Sequence, residues 1–261
     1  MTISNPKISI LITNYNNEKF IKKTLESCFD QSYRNKEIIV FDDKSTDKSL
    51  NILQNYTKKI ILIKNNSKKN SAPLNQINGI IKSYKKSKGK YLFLLDGDDI
   101  YHKDKVKKIL GKLEKKKKIE YLQDRPIKMS NGLKMKKKNK LHLFSIWPSF
   151  YPTSSIVVRR NFFKKFLKVI NKDKFPNLEI DARISIYAFL TNNFNSINES
   201  YTYYNDHMLG ITSKYKKYSY IWWQKRKEAF EYMYYLMSSL NIKFKRGPDF
   251  YITKLINQFI N

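Results

Sequence analysis

The sequence predicts an α/β fold, a mostly parallel sheet with helices on both faces, followed by a C-terminal helical and aromatic segment. Three observations predict it. Short apolar runs alternate with segments of helical period through the first hundred residues. Such alternation implies right-handed crossovers and parallel strands covered on both sides. Polar groups gather where those runs end, which is where open α/β sheets bind their ligands. One run, Tyr91-Leu92-Phe93-Leu94-Leu95, stops abruptly in Asp96-Gly97-Asp98-Asp99, three carboxylates within four residues.

Ile8–Ile12 is the first predicted strand. Asn16 and Asn17 offer a cap for a helix on which Ile21, Leu25, Cys28 and Phe29 recur at helical spacing. Glu37–Phe41 is the second strand and stops at Asp42-Asp43. Ser45-Thr46-Asp47 then caps a helix carrying Leu50, Leu53 and Tyr56. Ile60–Ile63 is the third strand. Ser71-Ala72-Pro73 opens the next helix, with proline in its first turn and Ile77, Ile80, Ile81 and Tyr84 down one side. Gly89 ends that region and Tyr91–Leu95 is the fourth strand. Further on, Val106, Ile109, Leu110 and Leu113 mark a helix and Ile119–Leu122 a strand. Asp124–Lys140 reads as a long basic loop, Ile156–Val158 as a β-branched strand and Ala182–Leu190 as a helix. From Tyr220 on, Trp222, Trp223, Phe230, Tyr234, Leu236 and Met237 mix with Lys and Arg. The expected organisation is 1–100 as a ligand-binding half, 101–219 as the second half of the same domain, and 220–261 as a helical extension. There is no internal repeat.

At 261 residues, with 41% apolar and 15% aromatic side chains, the chain can bury a proper core. No run approaches the ~20 apolar residues that span a bilayer, and Met1–Pro6 lacks the basic and apolar regions of a signal peptide. The expected location is therefore the cytoplasm, with peripheral attachment to the inner face of the cell membrane as an option. A single cysteine, Cys28, excludes an intramolecular disulfide and a multi-cysteine zinc site, and suits a small core residue on a helix. The formal charge of +30 fits an anionic partner such as nucleic acid, an acidic membrane surface or a phosphorylated ligand. The abundance of Asn and Ile beside Lys equally fits AT-rich coding. Both readings stay open. The runs Lys115–Lys118 and Lys136–Lys138 fall outside the predicted strands, as solvated charge runs usually do.

Three carboxylates at a strand end repel one another unless a cation neutralises them. Mg²⁺ and Mn²⁺ take one or two carboxylates and complete their shells with water and substrate phosphate. Thr13 and Tyr15 follow the first strand, Asp42 and Asp43 the second, and Asp96–Asp99 the fourth, so three strand ends converge on one crevice.

With these motifs in order, the chain resembles the family 2 glycosyltransferases, of GT-A type, whose sheet is Rossmann-like. Ile8-Ser9-Ile10-Leu11-Ile12-Thr13-Asn14-Tyr15-Asn16 is similar to the family's opening strand and nucleotide loop. Glu37 to Asp47 resembles its second signature, with Lys44 where glycine is commoner, and Asp96-Gly97-Asp98-Asp99 resembles its DxD motif. The resemblance implies an inverting sugar transfer from a nucleotide-diphosphate donor, most often UDP-linked, with Mn²⁺ or Mg²⁺ as cofactor. The implied acceptor is a surface glycan or a lipid-linked saccharide.

By position, Thr13, Tyr15 and Asp43 match base-binding residues, Asp96 faces ribose and metal-bound water, and Asp98 is the direct metal ligand. Lys68 and Lys69 stand in the segment Ser67–Asn75, where an arginine is common, and supply phosphate-binding charge without arginine's bidentate geometry. Glu179-Ile180-Asp181 resembles the acidic motif near the acceptor, with Asp181 as the base and Glu179 as the second choice. His207, in Tyr204–Thr212, matches a histidine that contacts diphosphate or metal. Thr153 and Ser154 match hydroxyls beside the acceptor pocket. Other classes remain for comparison. A sugar-phosphate nucleotidyltransferase would want a glycine-rich phosphate loop, which Asn14-Tyr15-Asn16-Asn17 does not offer. A nucleic-acid-binding protein would leave an acid-lined crevice unexplained, so no nucleic-acid partner is expected.

Overall fold

The computed structural model describes residues 5–136, 150–206 and 216–260. Strands β1 (Ile8–Asn14), β2 (Lys36–Asp42), β3 (Ile61–Lys64) and β4 (Tyr91–Asp96) alternate with helices α1 (Ile21–Phe29), α2 (Ser49–Gln54) and α3 (Ala72–Lys86). Then come β5 (Ile100–Tyr101), α4 (Lys105–Lys115), β6 (Tyr121–Gln123), β7 (Ile127–Lys128), β8 (Ile156–Arg159), α5 (Arg160–Leu167), α6 (Ile180–Leu190) and β9 (Thr202–Tyr204). Helices α7 (Tyr220–Ser239) and α8 (Pro248–Phe259) complete the described chain.

The main sheet has the order β3-β2-β1-β4-β8-β6. Its first four strands are parallel, and β8 runs antiparallel to both β4 and β6. Side chains alternate between faces along a strand, and β1 divides the core accordingly. Ile10 and Ile12 join Leu25, Cys28, Leu53, Val106 and Ile109 beneath α1, α2 and α4. Leu11, on the opposite face, joins Ile77, Ile80, Phe163, Ile184 and Phe230 beneath α3, α5, α6 and α7. Burial pushes the Cys28 thiol up to about 12, so it stays protonated in this core. Helix α6 is buried nearly all round rather than along one stripe, the mark of a helix inside a core.

All four amino-terminal strands and their intervening helices stand where the sequence places them. Ser71 caps α3 by accepting from the Leu74 amide at 3.3 Å. The start of α1 differs: Phe20 is its cap residue, and the Asn16 side chain instead accepts from the Thr46 amide at 2.8 Å, tying two loops together. The stretch expected as one long basic loop contains β7, which pairs with β9 and β5 in a second, three-stranded sheet. These strands are two or three residues long, too short for a period to register. Helix α5 was unassigned by sequence although Phe162, Phe163 and Phe166 carry a helical spacing. Among the described residues no helix is long and apolar enough to cross a membrane.

Candidate active site

Parallel pairing sets the ends of β1, β2 and β4 side by side, with Asn14 level with Asp42 and Thr13 with Asp96. A cleft of about 420 Å³ opens beyond them. Thr13, Tyr15, Asp43, Lys68, Lys69, Asp96, Asp98, Thr153, Glu179 and Asp181 all line it. The crevice inferred from three strand ends is therefore a single cavity, and it also takes in the start of α6.

At the β1–β2 side, Tyr15 is 45% exposed. The Lys68 ammonium lies 3.1 Å from its ring centroid. Asp43 accepts from Asn65 Nδ2 at 2.7 Å, and burial raises its pKa despite that bond and the nearby Lys68 charge. Asp42 serves the turn: its carboxylate accepts from Asn14 Nδ2 at 2.8 Å and from the Ser45 amide at 3.0 Å. That turn places Lys44 at φ 59°, the left-handed region that favours glycine. The glycine usual at this position is thus explained by backbone geometry.

At the end of β4, Asp96 Oδ1 accepts from Thr13 Oγ1 at 3.0 Å and Gln76 Nε2 at 2.8 Å. Burial, followed by the Asp98 charge, pushes its pKa up to about 6. Gly97 passes so close to β1 that a Cβ there would lie 2.7 Å from Asn14 Oδ1 and 3.1 Å from the Thr13 carbonyl. The buried Asp99 accepts from the Asn205 amide at 2.7 Å, and burial with its two acidic neighbours holds its pKa well above the usual carboxylate range.

Ser154 departs from expectation. It is fully buried behind the cleft wall, where its hydroxyl accepts from the Asp96 amide at 3.0 Å and helps hold Asp99. It therefore supports the acidic turn and has no surface to offer an acceptor. Its carbonyl accepts from Lys105 Nζ at 2.7 Å, and that ammonium also pairs with Asp124 at 2.8 Å, all inside the core. Lys69, expected on phosphate, pairs instead with Asp173 at 2.5 Å across the rim. His207 lies outside the described residues.

The donor chemistry suits a divalent ion. Asp96 and Asp98 face the cleft together, and the crowding that raises Asp96 is what a cation relieves. Buried acceptor oxygens stand around them without hydrogen-bond partners: Asn14 Oδ1, Gln76 Oε1 and Asp99 Oδ2. Among the described residues no three His, Cys, Asp or Glu side chains converge on one point.

The α6 side of the cleft rests on contacts the sequence hid. Glu179 precedes α6 and accepts from Lys225 Nζ of α7 at 2.6 Å. One turn along α7, Glu228 accepts from both the amide (2.8 Å) and the side chain (2.7 Å) of Asn177. Arg183, fully buried, donates to the carbonyls of Leu178, Asn171, Lys174 and Phe175 and so shapes the loop before α6. Asp181, in the first turn of α6, accepts from the Ala182 amide at 2.6 Å. Burial, then the Glu179 charge, pushes its pKa up to about 7, while Lys225 pulls the other way. Gln76, Lys225 and Glu228 escaped sequence reasoning. An isolated polar residue on a helix carries no spacing signal, and only the packing shows what each one holds.

Several relatives share part of the chain. An uncharacterized glycosyltransferase of Haemophilus influenzae is 37% identical over 109 residues, which is 41% of this chain and 42% of that protein. The putative teichuronic acid biosynthesis glycosyltransferase TuaG of Bacillus subtilis is 34% identical over 115 residues, 42% of this chain and 43% of its own. The Escherichia coli UDP-Glc:alpha-D-GlcNAc-diphosphoundecaprenol beta-1,3-glucosyltransferase WfaP is 36% identical over 111 residues, 42% of each chain. The chain thus spans less than half the length of these relatives. Among solved structures, S. aureus TarS with UDP superposes with a TM-score of 0.65 at 16% identity, over 97% of this chain and 70% of that one. The mannosyltransferase PcManGT of Pyrobaculum calidifontis, with GDP-Man and Mn²⁺, gives 0.59 at 14% identity over 98% and 70%. These likenesses give the fold as GT-A. Residues 9–175, more than half of the chain, match the family described as Glycosyl transferase family 2, and the chain belongs to that family.

Proposed function

We propose that this chain catalyses an inverting, metal-assisted transfer of a sugar from a nucleoside-diphosphate donor, with UDP as the nucleotide, to a hydroxyl of a surface-glycan or lipid-linked saccharide. One observation carries the reading: a single cleft joins an exposed aromatic shelf, a pair of carboxylates and a carboxyl group with pKa about 7. Tyr15 offers a ring face for the base, and Asp43 offers an acceptor for the uracil imide. Lys68 leaves that face as the base arrives and neutralises phosphate charge nearby. Asp98 and Asp96 would hold a divalent ion, which would stabilise the charge on the departing diphosphate. Asp181 takes the proton of the acceptor hydroxyl as its oxygen attacks the anomeric carbon. The bond to the diphosphate breaks, and the nucleotide leaves with the electron pair. A pKa near neutrality suits that base, because enough of it is ionised while it still binds a proton well. Thr153 lines the cleft wall, and in this reading its hydroxyl binds a sugar hydroxyl.

The charge of +30 favours work at an anionic membrane surface, and we include that attachment in the proposal. An acid-lined cleft gives no support to a nucleic-acid substrate. The test is calorimetric titration of UDP into the protein with Mn²⁺ and again with EDTA. Metal-dependent binding that Asp98→Ala abolishes is expected. Equal binding with and without the metal would remove Asp98 from its role. Preference for another nucleoside diphosphate would change the donor.

A further inference from the structure

Helix α8 docks through one stripe and leaves the opposite stripe apolar. On its inner side, Thr253 Oγ1 accepts from Arg226 Nε at 3.0 Å, and Asn257 Nδ2 donates to the Trp223 carbonyl at 3.1 Å. With 3.6 residues per turn, Tyr251, Ile252, Leu255 and Phe259 fall within an arc of about 100° on the far side. They are 56%, 53%, 53% and 80% exposed. A single exposed hydrophobe is ordinary, but four on one stripe of one helix mark a surface that meets something else.

The charge around the stripe identifies the chemistry of that partner. Lys243, Lys245 and Arg246 precede the helix and Lys254 flanks the stripe, all exposed. Asp249 is the only carboxylate between Ser239 and Ile260, and it is ion-paired with Arg226 of α7. Between Ser239 and Ile260 the outer face is therefore apolar and flanked by cations. Interfacial helices combine these two features: the apolar stripe enters the acyl boundary and the cations meet lipid phosphate.

We infer that the outer face of α8, with the Lys243–Arg246 turn, docks on an anionic lipid bilayer. Neighbouring residues of α7 link this face to the cleft, since Arg226 grips α8 while Lys225 grips Glu179 beside Asp181. A docked α8 and the acceptor end of the cleft thus share one support, which favours a saccharide carried on a membrane lipid as the acceptor class. That extension rests on the transferase reading above. The docking itself does not.

The experiment is co-sedimentation of the full chain with vesicles of equal parts phosphatidylglycerol and phosphatidylcholine, against vesicles of phosphatidylcholine alone. Binding to the anionic vesicles only, weakened by salt, is expected. The double variant Leu255→Asp, Phe259→Asp should lower it about tenfold or more, and so should Lys243→Gln, Lys245→Gln, Lys254→Gln. UDP titration on the same variants separates the two claims: unchanged nucleotide binding with lost sedimentation supports the docking and leaves the donor site intact. Equal sedimentation with neutral vesicles, or none with either, overturns the inference. Light scattering gives a further route to failure: a wild-type dimer that the Leu255, Phe259 variant splits would assign this face to a second copy of the chain.

Discussion

The two ends of the cleft, proposed above as a donor end and an acceptor end, are built differently. The donor end consists of strand termini, where parallel pairing brings Thr13, Asp43 and Asp96 together and short loops finish the job. Its residues lie close to strands whose apolar runs announce them. The acceptor end is a helix start held from outside: α7 reaches over with Lys225 and Glu228 to fix Glu179 and Asn177, and Arg183 braces the preceding loop from within. The difference shows how a protein can place a cleft carboxyl by long-range ion pairs as securely as by sheet register. It also separates what each end should do when altered.

The largest effect should come from Asp181→Asn. Losing a general base costs about 10²- to 10⁴-fold in turnover, while UDP binding at the far end of the cleft should not change. Rates of UDP release from a UDP-sugar, set beside calorimetric UDP binding, check this. A variant that lost nucleotide binding as well would break the division into two ends.

The ion pair at the acceptor end makes a sharper prediction, because its two partners act on Asp181 in opposite directions. Glu179 raises the Asp181 pKa and Lys225 lowers it. Lys225→Met leaves Glu179 unneutralised, so the Asp181 midpoint should climb above about 7. Since the base works ionised, the acid limb of the pH–rate profile moves to higher pH, by about half a unit to one unit. Glu179→Gln should move it to lower pH, and Lys225→Arg should restore the original position. Asp96 at the end of β4 also faces Asp181 electrostatically, and Tyr121 of β6 feels its charge, so both stay unaltered in these variants. Titration of the Asp181 carboxyl carbon by NMR reads the shift directly. A purely structural pair would give losses on both sides without opposite displacements.

That contrast also explains what the sequence made legible. The four parallel strands, Ser71 as a cap and the acidic turn after β4 could all be read, because each depends on residues within a few positions of one another. Ser154 was misplaced because a hydroxyl one residue from a cleft wall looks the same in sequence whether it points in or back, and here it points back to Asp96 and Asp99. Lys225 and Glu228 could not be read, because their partners lie 46 and 51 residues away. Gln76 was missed because it is the polar neighbour of Ile77 on α3, and only the packing of α3 against β1 and β2 turns it toward Asp96 at the end of β4.

Both ends carry left-handed non-glycine residues, Lys44 at the donor end and Asn171 and Phe175 in the loop before α6. Lys44 sits at φ 59° with its side chain exposed, held there by the Asp42–Ser45 bonds. Relief of a left-handed non-glycine residue exceeds the extra chain entropy of glycine, so Lys44→Gly should stabilise the fold by about 0.5–1 kcal/mol. The midpoint of urea unfolding measures it. A loss of stability would mean that the Lys44 side chain contributes more than its backbone costs.

The smallest effect concerns one contact between the two ends. Lys69 of the donor loop pairs with Asp173 of the loop that Arg183 braces, and both partners are solvent-accessible. A pair of this kind is weak and is screened by salt, yet it keeps an ammonium away from the diphosphate it is well placed to meet. Asp173→Asn should free Lys69 and tighten UDP binding by about two- to fivefold at low ionic strength, the gain fading as salt is added. If binding instead weakens, the bridge is holding the cleft in its binding shape, and the two ends act as one unit rather than as two.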